Sequence, residues 1–398
     1  MSRPLAVYVH IPFCTYKCGY CDFNAYAGLD ALKLSYGEAL VREVTANAPL
    51  FAGREVSSIG FGGGTPSEVP PAQIRAVVEA VAAQAPLLPD AEVTLEANPG
   101  TCSAEAFREL RAAGVTRLSL GTQSFNADEL RFLDRIHSPE ANAAAVELAR
   151  AAGFRSVGLD LIYGLPGQTP GVWSETLAAA VALSPEHISA YALTVEEGTP
   201  LARKVSRGEI QMPDEDAVAD FYEQATETLE AEGYRQYELS NWAKPGHESR
   251  HNQTYWTDGD YLGIGAGAHG YLAPERYENA AHPRDYIAAL AVDSPGPLAA
   301  VSRRYTPDPS TMMSDWLSLR LRLLQGFAPG DFARKFGVDL VSAAGPVLIE
   351  CAEAGVLELS PQVRLTRTGR LLHGEVSARL LAHLQDGELS SLAAACPS

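Results

Sequence analysis

Three cysteines within eight residues, Cys14, Cys18 and Cys21, constrain this chain more than any other feature. Their spacing is C-x3-C-x2-C. The apolar run Leu5 to Ile11 precedes them and reads as a strand. The cysteines therefore sit on the loop leaving that strand, where the backbone can gather three thiolates around one centre. A closed structural zinc site takes four protein ligands, and no histidine follows at zinc-ligand spacing. Cubane iron–sulfur clusters take one cysteine thiolate per iron. Three cysteines on four irons would leave one iron open to another ligand. The competing reading is three unrelated thiols, or a disulfide and a spare. Chance seldom places half of a chain's six cysteines so tightly.

Composition narrows the function classes. Lys and Arg number 31 against 49 Asp and Glu, a net charge of −18. Phosphate binding is driven by Lys and Arg, so nucleic acid and anionic membranes are poor partners. No apolar run approaches the roughly 18 residues of a membrane helix. The thirteen residues before Cys14 are too few for a signal peptide and lead straight into a strand. Cys102, Cys351 and Cys396 are scattered and read as buried bystanders. Together the cysteines suggest reduced thiols in a cytoplasmic protein rather than a disulfide frame.

Along the chain, strand and helix patterns alternate six times. Strands are expected at Leu5–Ile11, Val56–Phe61, Glu92–Ala97, Arg117–Leu120, Arg155–Ile162 and His187–Leu193. Such alternation predicts a parallel sheet with helices outside. In barrels of this type the chemistry sits at the carboxyl ends of the strands. The unusual signatures all fall there: the cysteine loop, Gly62-Gly-Gly-Thr-Pro66, Glu96, Gln123 and Asp160. Any one could be turn punctuation, but together they line one rim. The expected fold is α/β, a partial six-stranded (β/α)6 barrel over residues 1–233. Residues 234–300 form an extension rich in aromatics, histidine and glycine, and the stretch Asp293 to Pro309, with four prolines, reads as a linker. Residues 301–398 pattern as three helices, a small hairpin and a helix, a smaller winged-helix-like α+β domain. That last part holds ten basic and ten acidic residues, so DNA binding is not expected of it. A substrate lid or protein-contact module suits it better.

Several motifs resemble one family. Tyr8-Val-His-Ile-Pro-Phe-Cys14, Gly62 to Pro66, Leu95-Glu-Ala-Asn-Pro99, Gly121-Thr-Gln-Ser-Phe125 and Asp160-Leu-Ile-Tyr-Gly-Leu-Pro166 are similar to the oxygen-independent coproporphyrinogen III oxidase family of radical S-adenosylmethionine (SAM) proteins. The similarity runs from Tyr8 to about Tyr271. It implies a radical SAM barrel with a [4Fe–4S] cluster on Cys14, Cys18 and Cys21 and SAM on the open iron. It implies that Tyr8 and Tyr20 flank SAM, and that Gly63, Gly64 and Thr65 meet its amino and carboxylate groups. Glu96, Gln123, Arg135 and Asp160 would satisfy its remaining polar groups, Asp160 being suited to the ribose hydroxyls, with Thr194 making a further backbone contact.

The family has two branches, a porphyrin-pathway dehydrogenase and a heme chaperone. Three features favour the chaperone. His251-Asn-Gln-Thr-Tyr-Trp256 matches the H-N-x-x-Y-W motif associated with heme in that branch. Asp22-Phe23 follows Cys21 where the dehydrogenase has a further cysteine. The segment before Cys14 is shorter than the dehydrogenase's. The resemblance thus implies heme as ligand, a recipient hemoprotein as partner, and His251 as the candidate axial ligand, with His247 and His269 as weaker ones. It admits a homodimer. Histidine is the commonest proximal heme ligand, although a loop histidine is often only solvated. The alternative function is oxidative decarboxylation of porphyrinogen propionates by a SAM-derived radical.

Overall fold

The computed structural model describes residues 3–386. Cys396 lies outside them. The chain forms two compact units. The first takes the chain to Arg235, then Ser240–His251 and Gly259–Arg304. The second takes Gln236–Leu239, Asn252–Asp258 and the chain from Tyr305.

In the first unit, β1 (Leu5–Ile11), β2 (Val56–Gly63), β3 (Leu87–Ala97), β4 (Arg117–Gln123), β5 (Ser156–Tyr163) and β6 (His187–Ala192) lie side by side in chain order, all parallel. Helices follow the strands, among them Lys33–Ala46, Pro71–Gln84, Ala104–Ala112, Pro139–Ala151 and Pro170–Ala182. Alternate strand residues point to opposite faces. Val7, Val9, Ile59, Phe61, Val93, Leu95, Leu118, Leu120, Val157 and Leu159 share one hydrophobic core with residues of these helices. The other face carries Tyr8, His10, Ser58, Gly60, Gly62, Glu96, Ser119, Gly158, Asp160 and Ser189, which pair strand to strand. A TIM barrel fills its interior with bulky branched side chains. Here the interior wall is small or polar, which leaves a lumen able to take a polar ligand.

The extension opens with two short strands, β7 (Arg235–Glu238) and β8 (Asn241–Ala243). β8 pairs antiparallel with β6. On the opposite edge, β9 (Tyr261–Ile264) pairs parallel with β1. β10 (His269–Leu272), β11 (Glu275–Asn279) and β12 (Val301–Tyr305) continue that edge, so the sheet is mixed. Residues 301–305, expected in a linker, are therefore a strand.

A buried carboxyl ties this extension to the barrel. Glu43 on the Lys33–Ala46 helix accepts hydrogen bonds from the Gly265 amide (2.8 Å), the Tyr286 hydroxyl (2.6 Å) and the Asn279 side-chain amide (2.8 Å). Burial lifts its carboxyl to about 7, against the pull of those three donors. A carboxyl whose folded pKa exceeds its unfolded value holds its proton more tightly in the native state. It therefore favours folding fully at low pH, and that contribution is lost as pH rises through about 7. Thermal melts of the metal-free protein should fall in midpoint between about pH 5 and about pH 8. In Glu43→Gln that fall should be shallower. An unchanged slope would remove Glu43 from this role.

In the second unit, helices Pro309–Leu321, Pro329–Phe336 and Leu340–Glu353 precede a two-stranded ribbon, β13 (Leu357–Glu358) and β14 (Arg364–Leu365). Helix His373–Asp386 follows. Trp316 anchors the core, edge-on to Phe327 (4.9 Å between centroids) and Phe332 (5.7 Å). This is the expected winged-helix-like arrangement. Its third helix, where winged-helix DNA readers place contacts, exposes Val341, Ser342, Pro346, Ile349 and Glu350 and contains no Lys or Arg. Within this unit Arg322 bonds the fully buried Glu238 (3.1 Å) and stacks over Trp256 (4.3 Å). No helix among the described residues is long and apolar enough to cross a membrane.

Candidate cluster and SAM site

The cysteine loop leaves β1 and is held by contacts that do not involve a metal. The Cys14 amide donates to the Tyr26 carbonyl (3.1 Å) and the Thr15 amide to Glu68 (2.9 Å). Gly19 is gripped on both sides. Its amide donates to the Asp134 carboxylate (2.9 Å), and its carbonyl accepts from the Leu201 amide (2.9 Å). Cys14 Sγ lies 3.4 Å from the Thr65 hydroxyl, and Cys18 Sγ lies 3.7 Å from the Asp134 carbonyl. All three thiols are free and half-buried, and burial raises each pKa. Among the described residues, no three His, Cys, Asp or Glu side chains gather tightly enough to hold one metal ion. A cubane assigns each thiolate its own iron, so it does not need that convergence.

Beside this loop, the end of β2 supplies a backbone cradle. Gly63 has φ +112°, a left-handed value that disfavours a side chain. A Cβ there would meet the His10 ring at 2.5 Å. Gly64 donates its amide to the Ile11 carbonyl (2.8 Å) and Thr65 to the Phe13 carbonyl (2.8 Å). A Cβ on Gly64 would lie 2.7 Å from the Phe13 carbonyl oxygen. The fit is close enough that only backbone can occupy it.

The carboxylates sit inside the lumen. Glu96 Oε2 accepts from the Gly63 amide (3.3 Å), and burial, with the Asp160 charge adding, lifts its carboxyl to about 7. Asp160 accepts from the Ser119 hydroxyl at 3.0 Å, and burial raises it despite hydrogen bonds from Ser189 and Ser119. Beyond the Arg117 and Arg135 charges that act on Asp160, these two buried carboxyls would be stabilised by a cationic or hydroxyl-bearing ligand. The donor set thus fits an aminoacyl-nucleoside such as SAM.

Arg135 lies beyond the Ala127–Phe132 helix, bonded to Asn98 and to the Gly121 carbonyl (2.9 Å), in the cleft lined also by Cys18, Thr65 and Asp134. Gln123 sits at the end of β4 with φ +62°. Tyr20 packs on Leu133, Ile162 and Leu165, where burial raises its hydroxyl pKa. Tyr8 hydrogen-bonds His10 (3.0 Å) and is likewise raised by burial. Thr194 is exposed beyond β6, bonded to Glu196.

His251 is where expectation and structure differ most. It is not on a loop but in the first turn of the Arg250–Trp256 helix, 3% exposed. Its Nδ1 bonds the Ser58 hydroxyl (2.9 Å), its amide donates to Glu92 (3.1 Å), and its ring stacks on Tyr8. A Cβ on Gly60 would collide with His251 Nε2 at 2.3 Å. Burial lowers its pKa to about 4. The ring packs on the lumen face of β1 and β2, beside Tyr8, Ser58 and Gly60. Sequence reasoning missed Asp134, Asn98 and Glu68, whose roles depend on contacts spanning dozens of residues. The one local signal, Asp134 in a left-handed conformation (φ +53°), is visible only in the backbone.

A parallel, open-sided barrel with three thiols at its mouth and a polar lumen defines a radical SAM protein. The model of the radical SAM superfamily matches residues 8–180, and that of the HemN C-terminal domain matches residues 308–372. Heme chaperone HemW of Mycobacterium tuberculosis is 40% identical, covering 96% of this chain and 95% of its own. Heme chaperone HemW of Escherichia coli K12 is 37% identical over 95% and 98%. The solved structure of coproporphyrinogen III oxidase (HemN) from Escherichia coli, described as a radical SAM enzyme, superposes with TM-score 0.81 at 26% identity, covering 95% of this chain and 90% of that one. The chain belongs to the HemW family of radical SAM proteins.

Proposed function

We propose that the protein is a heme chaperone. It binds heme and passes it to a respiratory hemoprotein from a core that carries a [4Fe–4S] cluster and SAM. The similarity to proteins named heme chaperones, extending over nearly the whole chain, is the observation that carries this reading. Cys14, Cys18 and Cys21 would hold the cluster, which supplies an open iron to chelate SAM. Tyr8, Tyr20, Gly63, Gly64, Thr65, Glu96, Gln123, Arg135 and Asp160 would bind SAM. The backbone at Gly63 and Gly64 would approach the amino-acid end, and the lumen carboxyls would accept hydrogen bonds from SAM's donors. The test is transfer. Hemin-loaded, cluster-reconstituted protein is mixed with an apo-hemoprotein, and the recipient's absorbance is followed. Transfer faster than from free hemin is the expected result; no hemin uptake at all would overturn the reading.

The second reading is coproporphyrinogen III oxidation, favoured by the full-length superposition on HemN. Anaerobic turnover with SAM, a reductant and coproporphyrinogen III separates the two. Decarboxylated product would make the protein a pathway enzyme.

A further inference from the structure

We infer that Asn98 is a positioning residue for the iron–sulfur cluster. Its side-chain amide aims the Thr65 hydroxyl proton at Cys14 and holds Arg135 against Cys18, and so keeps the cluster's reduction potential up. This rests on the cluster reading above and goes beyond it, since Asn98 is there neither an iron ligand nor a SAM contact.

Asn98 follows Ala97, the last residue of β3. A turn fixes its backbone: the Asn98 carbonyl accepts from the Thr101 amide (3.1 Å) and from the Thr101 hydroxyl (2.6 Å). The side-chain amide can stand in only one of its two orientations. Arg135 donates to Asn98 Oδ1, and a guanidinium has no acceptor to offer. Oδ1 must therefore face Arg135. Nδ2 then faces Thr65 and donates to its hydroxyl (3.1 Å).

That donation settles the next proton. A threonine hydroxyl carries one proton of its own. With Asn98 filling an acceptor lone pair, the proton is free for Cys14 Sγ, 3.4 Å away. A thiolate on iron has no proton, so there the hydroxyl is the donor. Thr65 is buried, and bulk water does not compete for the bond.

The same amide secures a second donor. Arg135 spans Asn98 and the Gly121 carbonyl (2.9 Å), and its side chain also bonds Cys18. Gly121 permits this because it has no side chain: a Cβ there would lie 2.7 Å from Asn98 Oδ1 and 3.2 Å from the Arg135 guanidinium. Cys21, by contrast, has a backbone hydrogen bond at Phe23, within its own loop. Donors to two of the three sulfurs thus run through one neutral side chain.

Hydrogen bonds to the sulfurs and the surrounding charge set the potential of such a cluster. Reduction adds negative charge, which a hydroxyl donor and a guanidinium both stabilise. Without Asn98 the Thr65 hydroxyl can turn and Arg135 loses its tether, so the reduced form is the one that suffers.

The experiment is a reductive titration of full-length, cluster-reconstituted protein, without SAM, read by low-temperature EPR. Asn98→Ala should lower the midpoint by about 59 mV, a tenfold loss in the one-electron equilibrium. Iron and sulfide per chain should stay at the wild-type level. Asn98→Asp keeps the size and should also lower the midpoint, because a carboxylate has no N–H for Thr65 and draws the hydroxyl proton to itself. Thr65→Val should lower it too, and Thr65→Ser should keep the wild-type value. Thr65→Val combined with Asn98→Ala should fall short of the sum of the two. A residue that only packed the loop would alter cluster content or stability and leave the potential of loaded protein unchanged. The inference is overturned if loaded Asn98→Ala keeps the wild-type potential or, where that variant cannot be loaded, if Asn98→Asp keeps it or cannot be loaded either. Wild-type protein that takes up no iron and sulfide would instead overturn the cluster reading, and this inference with it.

Discussion

Cys18→Ala should leave a folded protein that cannot be loaded with its cluster. After anaerobic reconstitution, iron and sulfide per chain should fall to background, and SAM should no longer bind. Each thiolate would hold one iron, so two cysteines would leave half of a cubane without protein ligands. The thiol itself contributes little to folding: it is half-buried, with a long contact to the Asp134 carbonyl and one to the Arg135 side chain. Loop shape comes from Gly19, Thr15 and Cys14 backbone bonds, none of which the substitution touches. The denaturation midpoint of the iron-free variant should therefore match iron-free wild type to within about 1 kcal/mol. A variant that still takes up a full cluster would show that Cys18 is not a ligand.

Gly64→Ala should do the reverse and damage the scaffold as well as the site. The new Cβ would stand 2.7 Å from the Phe13 oxygen and 3.0 Å from both the Ile11 oxygen and the Phe13 nitrogen. All three are backbone atoms in the strand-to-loop junction just before Cys14, so no side chain can swing away. Relief requires β2 to part from the exit of β1, which breaks the Gly64–Ile11 and Thr65–Phe13 hydrogen bonds. Overpacking of this kind costs about 1–3 kcal/mol. Denaturant midpoints should drop accordingly. SAM affinity should drop too, since Thr65 and the Gly63 amide move with the same peptide. Wild-type stability with wild-type SAM binding would mean that this junction yields more easily than its contacts indicate.

Much of this was legible in the sequence. The cysteine loop and the signatures expected at the strand ends do share one end of the sheet, because local spacing encodes both. Gly62 to Pro66, Glu96 and Asp160 fall where alternation puts them. What escaped was non-local or masked by turn residues. The strand expected at Glu92–Ala97 begins at Leu87 and runs through Pro89-Asp90. Four prolines between Asp293 and Pro309 concealed β12. His251 was expected on a loop and stands buried in a helix, because a motif match carries no information about burial. Its Ser58 partner lies 193 residues away. Asp134 and Glu43 likewise act on residues more than a hundred positions distant.

The two-sided grip on Gly19 has a consequence for how the protein meets oxygen. Zinc fingers get their shape from the metal and collapse when it leaves. Here amide and carboxylate bonds from Asp134, Leu201 and Glu68 also shape the socket. Part of the loop's ordering cost is thus met when the chain folds. Oxidative loss of the cluster would then empty a standing mould, and repair would be a refilling that asks no second folding of the chain.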